Sequence, residues 1–332
     1  MEYLGESIIQ IGESEALARA LSVLKSVDST LVGSGDDAAV VALTDPRVVI
    51  TTDTMIENHD FLTSWSSGFD LGFKAVMTNV ADLVAMGASP RALTVALIVT
   101  RQTKQTWLED FARGLQAACD LMVPPVEVVG GDLASGSEIV IAVTAHGDLD
   151  GASPVLRSTA KPGDLVVVAG TLGKAAAGLA LLDFHDPSAA ASYPELVNVQ
   201  LRPTPDIALG LEIAKSATAM MDISDGLSLD ASRLAKQSGV SINLEKRLLE
   251  GYAAVLEQAA QSINSRSGTQ LVSEWDWVLH GGEDHSFLVT LPEGTSVPRG
   301  AKVIGKVASL KSHSVYLDAE PLSAKGWDSV AG

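Results

Sequence analysis

The sequence predicts an α/β chain of two domains with mixed sheets. Three observations carry this. Short apolar, often β-branched runs alternate with longer stretches whose apolar residues recur at helical spacing. Several of these runs end at Gly, Ser or Asp, where α/β folds present side chains to ligands. The 332 residues suffice for two ordinary domains, and a cluster of Gly, Ala, Ser and Pro near Gly151 predicts a boundary between residues 1–151 and 152–332.

In the first part, residues 5–24 are expected to be helical, with Ile8, Ile9, Leu17, Leu21 and Leu24 inward. The loop Gly33-Ser34-Gly35 leads to the acidic pair Asp36-Asp37, which opens a strand over residues 38–43. A second strand, 48–52, ends at Asp53. Residues 70–86 predict a helix with Phe73, Val76, Met77, Val80, Leu83 and Val84 on one face and Gly87 as its stop. Lys74, Thr78 and Asp82, four apart with Asn79 beside them, form a polar stripe on it. The stripe is either a solvated face or a site, and its single basic residue favours a site at Asp82. A strand at 93–100, a helix at 107–121 and a strand at 126–129 follow, the last ending in Gly130-Gly131-Asp132. Those glycines would let backbone approach a ligand closely. Residues 138–146 alternate as a long strand.

In the second part, residues 165–169 predict a strand. Gly170-Thr171-Leu172-Gly173-Lys174 resembles part of a phosphate loop, but Val168 stands where that pattern needs Gly and Ala175 where it needs Ser or Thr, so the assignment is rejected. Pro203 and Pro205 precede a helix at 207–214. Residues 219–223 read as a buried strand that hands over, through Ser224-Asp225-Gly226, to a helix at 227–237 closed by Gly239. A carboxylate before a helix is often only its N-cap, but capping needs one, and here Asp222 and Asp225 flank Ser224. A strand at 241–244, a helix at 252–263 and the turn His280-Gly281-Gly282-Glu283-Asp284 come next, then strands at 287–291, 302–307 and 314–317.

Composition excludes several functions. Asp and Glu number 41 against 23 Lys and Arg, a net charge of −18, so no basic surface exists for nucleic acid. An acidic protein binds polyphosphates only through divalent cations. The lone Cys119 falls on the apolar side of a predicted helix, reads as core and fits a reducing compartment. No signal peptide is evident, and no window nears the roughly 18 apolar residues of a membrane span, so a cytoplasmic protein without membrane partners is expected.

Asp36, Asp37, Asp53, Asp82, Asp132, Asp222, Asp225, Glu283 and Asp284 all lie near Gly, Ser or Thr at turn or helix positions. If several converged they would repel one another without cations. Oxygen-only donors select Mg²⁺ over Zn²⁺, and Mg²⁺ with phosphate oxygens points to phosphoryl transfer. Glycoside hydrolysis would want aromatic platforms, whereas only 5% of residues are aromatic. No Ser-His-Asp or Cys-His set stands out. His59, His146 and His280 lack ligand spacing, and no His is predicted beside the carboxylates.

Six stretches, taken in order, resemble the thiamine-monophosphate kinase family: Gly35-Asp36-Asp37-Ala38-Ala39, Thr51-Thr52-Asp53-Thr54-Met55, residues 79–88, Gly130-Gly131-Asp132, Asp222-Ile223-Ser224-Asp225-Gly226-Leu227 and Gly281-Gly282-Glu283-Asp284. The resemblance spans nearly the whole chain. It implies an aminoimidazole ribonucleotide synthetase-like fold and ATP-dependent phosphorylation of thiamine monophosphate to thiamine diphosphate. Mg²⁺ would be the cofactor and ATP the co-substrate, in a homodimer paired through its N-terminal domains near the nucleotide. By the same resemblance Asp37, Thr51, Thr52, Asp53, Asp82, Asp132, Asp222 and Asp225 would be Mg²⁺ ligands. Gly131, Asp132, Arg157 and Ser224 would touch ATP, and Glu283 and Trp327 the thiamine moiety. Arg157 also suits phosphate by its planar fork, or is a surface residue. An aromatic face with a carboxylate suits a cationic thiazolium. The family carries a His directly before the Phe that follows Thr-Thr-Asp. Here the order is Asn58-His59-Asp60-Phe61, so Asp60 takes that place and both His59 and Asp60 are candidate substrate contacts. No acid or base residue is implied, and direct in-line transfer is expected. The alternatives are a sister ATP-dependent synthetase with another acceptor and a non-catalytic nucleotide- or metal-binding module.

Overall fold

The computed structural model describes residues 3–34, 38–184 and 186–327. The chain divides into two compact units, Met1–Leu83 with Ala88–Ser153, and Val84–Gly87 with Pro154–Gly332.

The first unit contains α1 (Ile8–Ile11), α2 (Glu13–Leu21), β1 (Thr30–Val32), β2 (Val40–Val41), β3 (Val49–Ile56), α3 (Gly68–Ala85), β4 (Ser89–Thr100), α4 (Gln105–Cys119), β5 (Glu127–Gly136) and β6 (Val140–Asp148). The single helix expected over 5–24 is broken at Gly12, which takes φ +85°, and Ile9 and Leu21 are exposed rather than inward. β3, β6, β4 and β5 form one sheet in that order, antiparallel except for the parallel β4–β5 pair. Two strands overrun their expected ends. Asp53 lies inside β3, opposite Val143, and Gly130-Gly131-Asp132 lies inside β5, where Gly131 faces Val95. Pairing with longer neighbours carries both strands past their apolar runs, and an edge strand with an open face tolerates Thr and Asp. Val129 is an extra residue on β5, since Leu93 pairs with Val128 and Thr94 with Gly130, so a bulge stands directly before the two glycines.

α3 and α4 cover the face of this sheet that carries Val95, Ile141 and Val143, all buried. The polar stripe of α3 is not solvated: Lys74, Thr78 and Asn79 are buried, and Asn79 Nδ2 donates to the Ala75 carbonyl at 2.9 Å. Cys119 is buried, and burial pushes its thiol up to about 12.

The second unit contains β7 (Leu165–Ala169), α5 (Lys174–Asp183), α6 (Pro187–Ser192), α7 (Pro194–Leu201), α8 (Ile207–Ala214), β8 (Ala219–Ile223), α9 (Leu227–Ser238), β9 (Val240–Leu244), α10 (Lys246–Ala253), α11 (Glu257–Ser267), α12 (Glu274–His280), β10 (Ser286–Leu291), β11 (Ala301–Ser309), β12 (Val315–Leu317) and β13 (Glu320–Pro321). Its seven-stranded sheet runs β13-β12-β9-β11-β7-β10-β8, with only β12–β9 parallel. The helix expected over 252–263 is two, α10 and α11, and the turn between them keeps Tyr252, Ala253 and Leu256 buried together. β8 is buried along its whole length, Asp222 included. No helix among the described residues is long and apolar enough to cross a membrane.

Candidate functional site

In the first unit, β3 and α3 meet through polar groups. Thr51 Oγ1 donates to Asp82 Oδ2 at 2.8 Å, so Thr51 and Asp53, two residues apart on a pleated strand, share the face toward α3. Thr52 lies on the opposite face, where its hydroxyl donates to the Val143 carbonyl at 2.8 Å. Asp132 pairs with Ala96, which pairs with Ala142, which pairs with Thr54. Its side chain therefore shares the face of Thr52 and Thr54, not that of Asp53.

At one of the two glycines the fold supplies a reason of its own. A Cβ on Gly131 would stand 2.0 Å from the Val95 carbonyl oxygen, so β4 itself requires the glycine, whereas a Cβ on Gly130 would meet nothing within 4 Å. Gly130, Gly131 and Asp132 border a cavity of about 680 Å³ whose apolar walls come from α2 and α4, including Leu17, Leu21 and Phe111. Ser34 and Ala38 border it too, and Ser34 Oγ donates to the Val129 carbonyl at 3.2 Å. The Asp36-Asp37 pair falls between these two residues in sequence, and Asp37 lies outside the described residues.

After β3 the chain turns through Asn58, at φ +66°. Asp60 accepts the Ile56 N–H at 2.7 Å and stands 3.0 Å from His59 Nδ1. Its carboxylate closes the turn, while the His59 side chain is 39% exposed and is the better presented of the two candidates.

In the second unit the expected residues come together on a backbone frame. Asp222 is buried in β8, and His285 Nδ1 lies 3.4 Å from its Oδ2, so a histidine does stand beside the carboxylates. The Ser224 carbonyl accepts the Glu283 N–H at 2.8 Å, and the Asp225 carbonyl accepts the Trp327 N–H at 3.1 Å. Gly226 (φ +116°) and Gly282 permit this approach, because a Cβ would lie 2.5 Å from the His280 carbonyl oxygen at the first and 2.4 Å from that of Ser224 at the second. Ser228 ties the C-terminal segment down: its hydroxyl donates to the Lys325 carbonyl at 2.9 Å and stands 2.8 Å from His280 Nδ1.

Asp225 has a cation of its own. Arg233 Nη1 is 2.5 Å from Asp225 Oδ2 and 2.7 Å from Asp230 Oδ1, while Asp230 Oδ2 accepts the Asp225 N–H at 3.0 Å. Burial, reinforced by the charges of Asp222 and Asp225, pushes the Asp230 carboxyl up to about 6. Arg157 is exposed, and its carbonyl accepts the Ser238 hydroxyl at 2.8 Å at the C-terminal end of α9. His285, Arg233, Asp230 and Ser228 were not singled out in the sequence. Only the Asp230–Arg233 spacing, i to i+3 on a helix, offered a signal.

Among the described residues no three His, Cys, Asp or Glu side chains gather as a ready metal cage. The side chains that the resemblance assigns to a metal nevertheless offer only oxygens, a set suited to a hard cation.

Residues 35–149 match the family profile of AIR synthase related protein, N-terminal domain, and residues 161–272 that of its C-terminal domain. A thiamine-monophosphate kinase of Mycobacterium tuberculosis is 36% identical over 321 residues, which cover 96% of this chain and 92% of that protein. The crystal structure of thiamine-monophosphate kinase from Stenotrophomonas maltophilia aligns with TM-score 0.75 at 30% identity, covering 93% of this chain and 96% of that one. AaThiL complexed with AMPPCP and TMP aligns with TM-score 0.72 at 30% identity, covering 98% and 99%. Two matched domains and relatives alike over nearly their full length agree with the six ordered motifs, and the chain belongs to the thiamine-monophosphate kinase family.

Proposed function

We infer that this chain is a thiamine-phosphate kinase that transfers the γ-phosphate of ATP to thiamine monophosphate, yielding thiamine diphosphate. The observation that carries the reading is the backbone frame of the second unit. Carbonyls of Ser224 and Asp225 hold Glu283 and Trp327, so an acidic loop and an aromatic–carboxylate pair form one piece. The first suits phosphates with their counter-cations, the second a cationic ring. The likeness to AaThiL complexed with AMPPCP and TMP supports the same pair of substrates.

By the resemblance Asp37, Thr51, Thr52, Asp53, Asp82, Asp132, Asp222 and Asp225 would hold Mg²⁺. Bound there, Mg²⁺ would supply the positive charge that lets two phosphate groups approach. The rest falls to the chain's own groups. Thr51 fixes Asp82 by its hydroxyl, and Arg233 holds Asp225 as a loop anchor. The thiamine end would lie against Trp327 with Glu283 balancing its charge, and by the resemblance His59 and Asp60 are candidates for a substrate contact.

A homodimer, expected from the resemblance, is supported by the two open edges of the four-stranded sheet. Asp53 and Asp132 sit on β3 and β5, its two edges, separated by three strand spacings, about 14 Å. An ion with Mg–O distances of roughly 2 Å that took both would have to draw them from two chains. We therefore place β3 of one protomer against β5 of its partner, which would also cover the exposed Ile50 and Ile56. Incubation with ATP, Mg²⁺ and thiamine monophosphate, followed by chromatography, tests the activity. Turnover of an aminoimidazole precursor in place of thiamine monophosphate would assign the chain to a sister synthetase.

A further inference from the structure

The rejected phosphate-loop segment and a buried carboxyl explain each other. α5 starts at Lys174 behind Gly173, which takes φ +76°, and no side chain of its own first turn caps it. A helix start leaves amides without partners and favours negative charge. Asp284, more than a hundred residues later and 3% exposed, supplies that charge. Its Oδ1 accepts the Thr171 hydroxyl at 2.7 Å and the Lys174 N–H at 3.3 Å. Burial pushes this carboxyl up, against the pull of Thr171 and of the amides of Gly173, Lys174 and Ala175. The end of α5 that might have held a phosphate is thus filled from within.

The residues on either side of Asp284 are strained. Glu283 has φ +70° and His285 φ +50°, conformations that cost a non-glycine residue about 1 kcal/mol or more unless something holds them. Their N–H groups bond to the Ser224 and Ile223 carbonyls at 2.8 and 3.1 Å. One side of the turn is therefore fastened to the end of β8. The other side is fastened to the start of α5 through the Asp284 side chain, next to Ser286, whose Oγ accepts the Thr171 N–H at 2.7 Å.

We propose that Asp284 is a positioning residue: its carboxylate, seated in the N-terminal end of α5, sets the left-handed turn that presents Glu283 to the substrate. The second half of this statement rests on Glu283 being a substrate contact, whereas the anchoring does not.

Thr171→Val tests it from outside the turn, removing the hydroxyl donor while keeping the shape. Amide exchange at Glu283 and His285 should quicken, and the KM for thiamine monophosphate should rise roughly tenfold, the size of one lost hydrogen bond to a carboxylate. The KM for ATP should hold within about twofold, and Thr171→Ser should restore both readings. In a Glu283→Gln background, Thr171→Val should add nothing further to the KM, because the two residues act in series. Asp284→Asn should repeat the pattern more strongly; if that variant fails to fold, the Thr171 pair decides alone. Unchanged exchange at 283 and 285 would overturn the anchoring, as would an equal rise in both KM values. Faster exchange with an unchanged KM for thiamine monophosphate would uphold the anchor and remove Glu283 from the substrate site.

Discussion

Replacing each glycine of the Gly130-Gly131 pair by Ala separates two reasons for having a glycine there. At position 131 the new Cβ would lie 2.0 Å from the Val95 carbonyl oxygen, 2.9 Å from its carbon and 3.2 Å from its nitrogen. All three atoms are backbone, so no side chain can swing aside. Contacts below 3.0 Å are not sustained, so β5 must retreat from β4 by about an ångström. Overpacking of this kind costs about 1–3 kcal/mol, and here it strikes a parallel ladder that runs from Ala92 to Thr100. The melting temperature of Gly131→Ala should fall by roughly 5–10 °C. Turnover should fall with it, since Asp132 is the next residue on the displaced strand. Position 130 is open to 4 Å and its φ is not left-handed, so Gly130→Ala should keep or raise stability by up to about 1 kcal/mol. If ATP packs on that backbone, its KM rises in Gly130→Ala with no loss of melting temperature. Calorimetry together with KM for ATP on both variants is the assay. A Gly131→Ala protein with the parent's melting temperature would refute the steric argument, and so would a loss at 130 as large as at 131.

Two further outcomes follow from the first unit. Asp53→Asn and Asp132→Asn should each be folded and inactive, yet mixing the two after subunit exchange should restore about a quarter of parental activity, because random pairing gives half heterodimers with one intact site each. No recovery, or a monomer by light scattering, would mean that the site is not shared between copies. Arg91→Met should cost about 3–5 kcal/mol in urea unfolding at neutral pH, since Arg91 lies 3.0 Å from the fully buried Asp148 carboxylate. Burial works to raise that carboxyl, but Arg91 and Thr44 outweigh it and hold it below its ordinary 3.8. The contribution is therefore complete above the unfolded value and lost as pH falls through the lower folded one. The parent should lose this share of stability only below about pH 4, and Arg91→Met should show a flatter acid limb.

Periodicity alone recovered elements whose apolar residues are spaced and whose ends are punctuated. α8 starts and stops where Pro203, Pro205 and the run Ile207–Ala214 predict, and α9 closes at Gly239 in a left-handed turn. The helix at 174–183 left no periodic trace because its run Ala175-Ala176-Ala177-Gly178-Leu179-Ala180-Leu181-Leu182 is apolar or small on every side. Strand ends were misread at Thr52 and Val129 because a strand stops where its partner stops, and the partners of β3 and β5 are distant in sequence. The same distance hid the inner contacts of the site. Thr51 and Asp82 are 31 residues apart, His285 and Asp222 63, Asp284 and Thr171 113, and each pair is joined only by the fold. The motif residues themselves were legible because Gly, Asp and Ser at strand ends and turns are chemically conspicuous. Their contacts within the chain were not: the close approach of Gly131 to Val95 and the pairing of Asp225 with Arg233 come from the fold.

The route of the phosphate turns on what surrounds His285, which stands beside Asp222. The acceptor in thiamine monophosphate is a phosphate oxygen, already anionic near neutral pH, so it needs no general base. A covalent route would need a nucleophile with an open line of attack. His285 is the nearest candidate, but its side chain is only 6% exposed, its Nδ1 faces Asp222 at 3.4 Å and its Nε2 faces Glu283 at 3.9 Å. An imidazole buried between two carboxylates keeps its nitrogens turned toward them, and in-line attack on a phosphate would bring a third anion into the same space. Direct transfer should therefore invert configuration at a chiral γ-thiophosphate of ATP. Retention, or a phosphorylated protein trapped with ATP alone, would overturn this argument. Loss of that trapped species in His285→Asn would then name the nucleophile.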